Sequence, residues 1–591
     1  MKKLALVFSL LILMGEAVAQ AQLPPVVQAA GASVRPDELT RVYITPVRVV
    51  MKYGGRHGDL LRGDSLLLRP GNGQPQSGRK NCAVMRSTPE EKPFLLLDFG
   101  CELHGGLHLV LGGSSRREPS KVRIRFGESV EEANSETCNS EWKRGFSTDD
   151  HAKRDFVMEI PRDGSIELGN TGFRFVRIDL LEEESTISLK EVSAILRYRD
   201  IPYLGSFSCS DERLNRIWAT GAYTVHLNMQ EFLWDGIKRD RLVWLGDMHP
   251  EMTTITRVFG AHEIVPRSID LACEQYPLPR WLNNMSAYSM WYLVIMRDWY
   301  QQTGDVDYVR RHADYIAGVV ALVDKKVDEQ GNESLASWRF LDWPSSPDTL
   351  GVEAGYRALI IWAMNDASEL LTLIGRDSDA ALCHDIVSRL EKKILPHNHL
   401  KQAAALMALA GLLDPVQACN EVVAVGGAER FSTFYGYYML EALAKAHMYE
   451  TALDIIRDYW GGMLDMGATT FWEDFNLDWT VGAAPIDNPV PEGMKDIHGD
   501  FGDYCYPGFR HSLCHGWASG PTAWLSDHVL GVSIVDPVKR WVRIEPHLGD
   551  LLWAKGSYPT PWGVIEVSHE RLDNGKIKSS VKLPRGVHRV K

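Results

Sequence analysis

The stretch Asp211-Glu212-Arg213-Leu214-Asn215-Arg216-Ile217-Trp218 decides the fold, because helical periodicity begins here and continues nearly to residue 533. Ser210 or Asp211 is the expected N-cap of the first helix. Further helices are predicted at about 281–303, 306–327, 351–375, 379–395, 400–413, 415–425, 434–446, 449–459 and 515–530. A closed double ring of paired helices, the (α/α)6 barrel, fits this pattern. An open solenoid fits it too, and periodicity alone does not choose between them.

Short runs of alternating polar and apolar residues lie on both sides of the helical region. Before it, between about residues 40 and 198, the runs Lys121–Phe126 and Phe173–Ile178 are typical, and they predict an antiparallel sandwich. This sandwich would either bind sugar or pack on the next domain, and we favour packing. After residue 531, the run Gly563–Ser568 and the hairpin signal Asp573-Asn574-Gly575 predict a small second sandwich.

The segment Trp234–Asp247 concentrates acidic residues within the helical region. Its glycines, Gly236 and Gly246, place it on a loop between helices. Its charged residues are Asp235, Lys238, Arg239, Asp240, Arg241 and Asp247. Neighbouring carboxylates raise one another's pKa and neighbouring cations lower it, so one acid of such a loop can be protonated while its partners are ionised. The tryptophans can pack against the C–H faces of a sugar. A solvated loop of structural ion pairs is the alternative interpretation.

Two further loops place an acid beside a tryptophan. Asp342-Trp343 interrupts the helices near residue 342, and Trp472-Glu473 does so near residue 473. Burial among aromatic side chains would raise the pKa of a carboxyl group there towards the range of a general base. His511 and His515 precede the last long helix; one such histidine is more often structural, and the adjacent Trp517 favours a substrate contact for His515. Glycosidic hydrolysis needs two carboxyl groups, which the first loop and the Glu473 loop would supply.

Composition narrows the class of protein. The chain has 591 residues, which predicts about three domains. Its net charge of −13 makes nucleic acid an unsuitable partner. Residues 1–21 have the pattern of a secretory signal, with Lys2 and Lys3 before an apolar run and small residues at the cleavage site. No later segment is long and apolar enough to span a membrane, so an exported protein of the periplasm or extracellular space is expected.

The nine cysteines are scattered, and their odd number leaves at least one unpaired within the chain. Cys82–Cys101 or Cys505–Cys514 would be possible disulfides in an oxidising compartment, and buried thiols are the expectation for most of them. The sequence contains no HExxH motif and no Cys/His zinc pattern. We therefore expect no metal and no cofactor.

The chain resembles the α-L-rhamnosidases of glycoside hydrolase family 78. The resemblance covers most of the chain after residue 21 and lies in the order and spacing of several motifs. They are the Trp234–Asp247 loop, Leu341-Asp342-Trp343, Ala468–Glu473, Ser512–Trp517, Asn170–Arg177, Ile544–Leu551 and Gly556–Gly563. The resemblance implies an (α/α)6 barrel with N-terminal and C-terminal β-sandwich domains, and hydrolysis with inversion at the anomeric carbon.

The resemblance also implies roles for single residues. Asp235 and Asp247 would hold sugar hydroxyls, Arg239 would orient the acids and Trp244 would form a wall. Glu473 would be the general base and His515 would contact substrate. The remaining predicted sugar contacts are Asp342, Trp343 and Trp472.

The general acid departs from the family pattern. Many members have Asp-Glu between the two arginines, with Glu as the proton donor, whereas this chain has Arg239-Asp240-Arg241. We assign Asp240 as the general acid. Because its side chain is one methylene shorter than that of Glu, the loop must lie closer to the leaving oxygen.

The predicted domains are a signal peptide at 1–21, an N-terminal β-sandwich region at 22–200, a catalytic barrel at 201–533 and a C-terminal β-sandwich at 534–591. The predicted function is an exported hydrolase that removes terminal α-L-rhamnose from glycosides or polysaccharides. The alternatives are an inverting glycosidase for another sugar and a non-catalytic carbohydrate-binding protein of the same fold. Oligomeric state, linkage and aglycone do not follow from the sequence.

Overall fold

The computed structural model describes residues 38–115, 117–136, 154–502 and 506–590. The predicted signal peptide at 1–21 and two of the cysteines, Cys138 and Cys505, lie outside these ranges. Residues 40–591 form one compact unit. The predicted mixture of a helical region with β-sheets on both sides is confirmed, and the domain boundaries stay predictions.

The N-terminal part is an antiparallel sheet of nine strands around its own hydrophobic core. The long strand Phe94–Ser114 pairs with two other long strands, Gly164–Leu180 on one side and Thr186–Arg199 on the other. Phe94–Ser114 and Thr186–Arg199 are buried almost continuously because both of their faces are covered, whereas in Gly164–Leu180 only the second half is buried. The other strands are Leu39–Ile44, Arg48–Tyr53, Leu61–Arg62, Ala83–Arg86, Ser120–Gly127 and Asp155–Ile160.

A short helix, Val130–Asn134, lies beside this sheet, and the helical region begins at Glu212. They are Glu212–Asn228, Met248–Val258, Ile264–Gln275, Ser286–Thr303, Val306–Arg311, Ala313–Asp324, Thr349–Leu373, Asp377–Leu390, Lys401–Leu409, Pro415–Ala418, Gly436–Lys445, Tyr449–Asp465 and Gly520–Trp524. Within the ranges given above, no helix has the length and apolar character that crossing a bilayer requires.

Local signals in the sequence set several helix ends. Asp211 is the N-cap of the first long helix, where its side chain accepts a hydrogen bond from the Arg213 amide at 2.8 Å. Gly304, with φ of 71°, ends the helix Ser286–Thr303, and Asp305 then caps the next one. The acidic segment lies between Glu212–Asn228 and Met248–Val258, and it is a loop as predicted.

Other helix predictions were wrong in extent. The helix predicted at 281–303 begins at Ser286, because Asn283 and Asn284 have φ of 52° and 59°. The helix predicted at 306–327 is divided at His312. No helix was predicted at Met248–Val258, although all eleven residues are buried and Met248, Met252, Ile255 and Val258 recur at helical spacing.

The C-terminal part contains two small sheets. One is antiparallel and consists of Ser206–Cys209, Trp553–Thr560, Gly563–Arg571 and Ile577–Lys582. The other contains Val532–Asp536, Trp541–Ile544 and His588–Val590. The first strand of the four-stranded sheet precedes the helical region, so the two ends of the region 206–560 are joined by hydrogen bonds between Ser206–Cys209 and Ala554–Ser557.

The suggested disulfide Cys82–Cys101 is wrong, because both residues are free thiols. Cys514 is also a free thiol, and its suggested partner Cys505 lies outside the described residues.

Candidate active site

A cavity of about 330 Å³ lies at the N-terminal ends of the helices Met248–Val258 and Ser286–Thr303. Eight of the ten predicted site residues line it: Asp235, Arg239, Asp240, Trp244, Asp247, Trp343, Glu473 and His515. They come from four segments of the sequence, namely the acidic loop and the segments that contain Trp343, Glu473 and His515. The fold therefore gathers the acidic loop and three other segments around one space.

The backbone of the acidic loop is closed by hydrogen bonds at its base. The Asp235 amide donates to the Leu242 carbonyl at 3.1 Å, and the Leu242 amide donates to Asp235 Oδ1 at 2.9 Å. At its tip, Asp240 and Arg241 have φ of 51° and 53°. Asp tolerates this left-handed conformation better than most residues do. The turn places the Asp240 side chain at the edge of the cavity, where a fifth of it is exposed.

Arg239 connects the two predicted catalytic carboxylates. Its Nη1 lies 3.1 Å from Asp240 Oδ1, and its Nη2 donates a hydrogen bond to Glu473 Oε1. The guanidinium also covers the ring of Tyr506, 3.9 Å from the ring centroid. Since one planar group contacts both carboxylates, Asp240 and Glu473 face the same part of the cavity.

Glu473 is held by the segment that leads to His515. Its amide donates to the Ser512 carbonyl at 2.9 Å, and the Ser512 amide donates to Glu473 Oε2 at 3.2 Å. The Glu473 carbonyl accepts from Thr433 and from Trp517 Nε1 at 2.8 Å. The donors on the side chain stabilise an ionised carboxylate in a buried position.

Asp247 and His515 form a buried pair on the floor of the cavity. His515 Nε2 lies 3.0 Å from Asp247 Oδ1, and the Tyr288 hydroxyl donates to Asp247 Oδ2 at 2.9 Å. Burial raises the pKa of Asp247, and the bonds from His515 and Tyr288 oppose that rise. A short antiparallel bridge between Gly236 and His515 joins the acidic loop to the His515 segment.

Asp235 is the most strongly perturbed acid of the cavity. Burial raises the pKa of Asp235 well above its ordinary value, and the charges of Asp240 and Asp247 add to the effect. A neutral carboxyl group can donate a hydrogen bond to a sugar hydroxyl as well as accept one. Glu251 lies beneath these residues, and burial likewise raises its pKa well above the ordinary value.

Aromatic side chains form one wall of the cavity. The predicted members are Trp244 and Trp343; sequence reasoning missed Tyr288, Trp338, Phe340 and Tyr506 as sugar contacts. Adjacent rings are close, with centroids 5.1 Å apart for Phe340 and Trp343 and 5.9 Å apart for Trp343 and Tyr506. Trp338 remains half exposed at 52%. Trp338 lies two residues before Phe340 and five before Trp343, and this spacing could have indicated the aromatic wall from the sequence.

Asn283, Asn284 and Met285 also line the cavity and were missed. The Asn283 amide group bonds the acidic loop, since Nδ2 donates to the Val243 carbonyl at 2.9 Å and Oδ1 accepts from the Leu245 amide at 3.0 Å.

Two predicted sugar contacts do not line the cavity. Asp342 is 1% exposed and accepts hydrogen bonds from Ser432 Oγ at 2.6 Å, Gln402 Nε2 at 3.0 Å and the Ser345 amide at 3.0 Å. Trp472 is buried in the main core against Phe475. Asp342 has its hydrogen-bond capacity filled and Trp472 is buried, so neither side chain is available to a ligand in the cavity.

His511, the second histidine of the motif, is structural. Its Nε2 accepts a hydrogen bond from the Asp474 amide at 2.9 Å, and burial lowers the pKa of His511 to about 3. It is therefore neutral, and it orders the segment next to Glu473.

A larger cavity of about 500 Å³ lies at the C-terminal ends of the same two helices. Its charged side chains pair with one another: Arg257 with Asp527 at 2.8 Å and His528 with Glu441 at 3.0 Å. We place the chemistry in the smaller cavity, because that one gathers a carboxylate pair around a shared cation beside aromatic faces.

Glu128, Glu132 and His498 have the spacing of a metal site, with their ligand atoms within 4.8 Å of one another. The Lys238 ammonium lies 3.2 Å from Glu128 and 3.0 Å from Glu132. This cation occupies the space between the two carboxylates, and Arg154 also pairs with Glu132 at 3.1 Å, so a metal would have to displace Lys238. The donor set therefore does not fit a resident metal.

A model of the bacterial α-L-rhamnosidase six-hairpin glycosidase domain matches residues 202–408. No curated protein sequence matches the chain. The family resemblance drawn from the motifs is thus confirmed for the first part of the helical region.

Several solved structures are similar along most of the chain. A family 78 rhamnosidase of Bacillus sp. GL1 has 20% identity and a TM-score of 0.69, covering 89% of this chain and 56% of that one. A rhamnose-bound rhamnosidase of Klebsiella oxytoca has 20% identity and a TM-score of 0.63, covering 86% and 98%. The α-L-rhamnosidase of Aspergillus terreus has 18% identity and a TM-score of 0.65, covering 86% and 61%. The chain spans little more than half of the Bacillus protein. These likenesses show a six-hairpin glycosidase fold with β-domains.

Proposed function

We propose that the chain, whose fold is that of the α-L-rhamnosidases, is a glycoside hydrolase that removes terminal α-L-rhamnose with inversion of the anomeric centre. One feature supports this most directly: Asp240 and Glu473 contact the same guanidinium group at a cavity with aromatic walls. Two carboxyl groups on one small space are what glycosidic hydrolysis requires.

The roles follow from the surroundings of each carboxyl group. Asp240 is partly exposed at the edge of the cavity, where a leaving group would extend outwards, and it donates a proton to the glycosidic oxygen. Glu473 is buried and bonded by Arg239 and the Ser512 amide, so it starts ionised. It accepts a proton from the water that attacks the anomeric carbon as the C–O bond breaks. An inverting pair is about 6.5–9.5 Å apart to admit this water.

The rest of the cavity would hold the sugar. A volume of about 330 Å³ is near the lower end of ligand pockets, which run from about 300 to 1,000 Å³. That size suits a single terminal residue. Asp235 and the Asp247–His515 pair supply hydroxyl contacts, and Trp244 and Trp343 cover apolar C–H faces. The rhamnose-bound state of the Klebsiella structure supports rhamnose as the first sugar to test.

Binding without hydrolysis is the second candidate. One observation favours it: Glu473 forms an ion pair with Arg239, and a non-catalytic site could use such a pair as structure alone. A site that only binds sugar does not require Glu473 near Asp240, whereas both contact Arg239. An inverting hydrolase for another sugar is the further alternative, because Asp240 is shorter than the usual Glu.

The test compares wild type, Asp240→Asn and Glu473→Gln on two substrates, p-nitrophenyl and methyl α-L-rhamnoside. Loss of the acid should slow the methyl glycoside by about 100-fold or more and the nitrophenyl glycoside far less, since nitrophenolate leaves without a proton. Loss of the base should slow both substrates by a similar factor.

Proton NMR of the first product should show β-rhamnose. Glu441→Gln is the matched control, because Glu441 is an ion-paired carboxylate in the larger cavity. If wild type hydrolyses a different glycoside and the two variants show the same pattern of losses, the proposed sugar is wrong and the proposed mechanism is kept. Sugar binding by wild type without turnover on a glycoside panel would favour the binding protein.

We also propose that the protein is exported. The basic start, apolar run and small-x-small sites of residues 1–21 support this. Expression of the full chain in a Gram-negative host, with the N-terminus of the periplasmic product determined, tests it. A product that retains Met1 and stays in the cytoplasm would refute it.

A further inference from the structure

The Lys238 side chain connects the acidic loop to the N-terminal β-region. Its side chain is 0% exposed, and its ammonium lies 3.2 Å from Glu128 Oε2 and 3.0 Å from Glu132 Oε1. Glu132 lies in the short helix Val130–Asn134, and Glu128 precedes that helix. The loop is therefore attached to the β-region by a buried ion cluster two residues before Asp240.

The same cluster bonds the segment that holds Glu473. Glu128 Oε2 accepts from the Leu513 amide at 2.7 Å, and Lys238 Nζ donates to the His511 carbonyl at 2.9 Å. The residue between them, Ser512, exchanges two hydrogen bonds with Glu473. Each partner of the Glu128–Lys238 pair thus bonds to this segment.

We infer that Glu128 and Lys238 are positioning residues, which set the distance between the carboxylates of Asp240 and Glu473. This inference rests on the proposed function. One carboxylate lies on the loop that contains Lys238, and the other is bonded to the segment that Glu128 holds. Without the pair, the β-region would no longer fix one segment relative to the other.

A buried ion cluster suits this role better than apolar packing does. The free energy lost when two charges leave water offsets most of the free energy gained from their attraction. Such a cluster therefore contributes little to net stability. It does impose directions and distances on the groups that it joins. The charged or titratable groups around it are Glu102, Glu132, Arg154, His498 and His511. Lys238 and Arg154 are the cations beside three acidic side chains, so removal of Lys238 would leave Arg154 to face all three.

The test measures kcat and KM for Lys238→Met and Glu128→Gln. An error of about 1 Å between reacting groups can reduce the rate about 100-fold, so we expect that loss in kcat with KM changed less than about threefold. Arg257→Met is the matched control, since Arg257 is a buried cation paired with Asp527 in the larger cavity. It should lower the melting temperature with kcat unchanged.

Chemical rescue separates a positioning role from general damage. Lys238→Ala leaves a space among Glu128, Glu132 and His498, and methylammonium or ethylammonium should restore kcat about tenfold by occupying it. If Lys238→Met proves unstable, Glu128→Gln keeps Lys238 paired with Glu132 and still removes the charge by which Glu128 pairs with Lys238. Variants that lose stability but keep wild-type kcat would overturn the inference, as would a loss that alkylammonium ions leave unchanged.

Hydrogen exchange gives a readout that needs no substrate. In Lys238→Met, amides of 239–241 and 512–514 should exchange faster, while those of the helix Thr349–Leu373 should not. If wild type hydrolyses no glycoside, the proposed function fails, and this exchange pattern still decides whether the pair orders both segments. Equal exchange in wild type and variant would refute the positioning role itself.

Discussion

Gly246 allows the acidic loop to pass directly over Tyr288. A Cβ atom at Gly246 would lie 2.3 Å from Tyr288 Cε1 and 2.6 Å from its Cζ. Carbon atoms normally approach to about 3.5–4.0 Å, so in Gly246→Ala the ring would have to retreat by about 1 Å or more. Tyr288 is buried, and its hydroxyl donates to Asp247 Oδ2. The movement would therefore break that bond and alter the cavity floor.

Overpacking of this kind costs about 1–3 kcal/mol, and the lost hydrogen bond adds about 1 kcal/mol. We expect a lower urea midpoint for Gly246→Ala, together with a fall in kcat/KM of at least about tenfold. Tyr288→Phe removes only the hydroxyl group, so it should show the loss of about 1 kcal/mol from the missing hydrogen bond without the overpacking cost.

A double-mutant cycle tests the steric cause. In a Tyr288→Ala background the ring is absent, so Gly246→Ala should cost almost nothing there, and the two changes should couple by about 1–3 kcal/mol. An equal cost in both backgrounds would refute the reasoning, because the obstacle would then not be the ring.

Three further outcomes are expected. Asp342→Asn should lower the free energy of unfolding by about 1–3 kcal/mol with KM unchanged, since its amide nitrogen would face the donor Ser432; a raised KM in steady-state assays would restore Asp342 as a sugar contact. Burial lowers the pKa of His104 to about 3, so the fold disfavours its protonated form. The contribution of His104 to the free energy of unfolding is therefore fully present above pH 6.5, and it falls by up to about 1.4 kcal/mol per pH unit below that pH. Urea titrations at pH 4–6.5 should show a smaller slope for His104→Phe. Trp338→Ala should raise KM severalfold with kcat unchanged, because its half-exposed ring contributes binding alone; an altered kcat would contradict this.

Local chemistry made much of the fold predictable. Asp211, Gly304 and Asp305 end or begin helices through capping and left-handed geometry, and these signals are present in the sequence. The helix Met248–Val258 was missed although its apolar residues recur at helical spacing; that its polar residues are buried as well is visible only in the tertiary structure. Asn283 and Asn284 delay the start of a predicted helix, and that break is what brings them to the cavity.

The candidate site was predictable where acids and rings are adjacent in sequence. Asp240 and Glu473 lie at one cavity as the resemblance implies, although their separation of more than two hundred residues hides the shared Arg239. Asp342 looked equivalent to Asp235 in the sequence. They differ because the hydrogen-bond capacity of Asp342 is filled by Ser345, Gln402 and Ser432, which only tertiary structure reveals.

The strand Ser206–Cys209 completes its sheet only with Trp553–Thr560, about 350 residues later in the chain. During synthesis this edge and the first long helix appear long before their partners, so the native pairing waits for nearly the whole chain. Such a high contact order predicts slow folding and a late-forming sheet. Chains truncated before residue 553 would expose an unpaired strand edge, which is a template for aggregation.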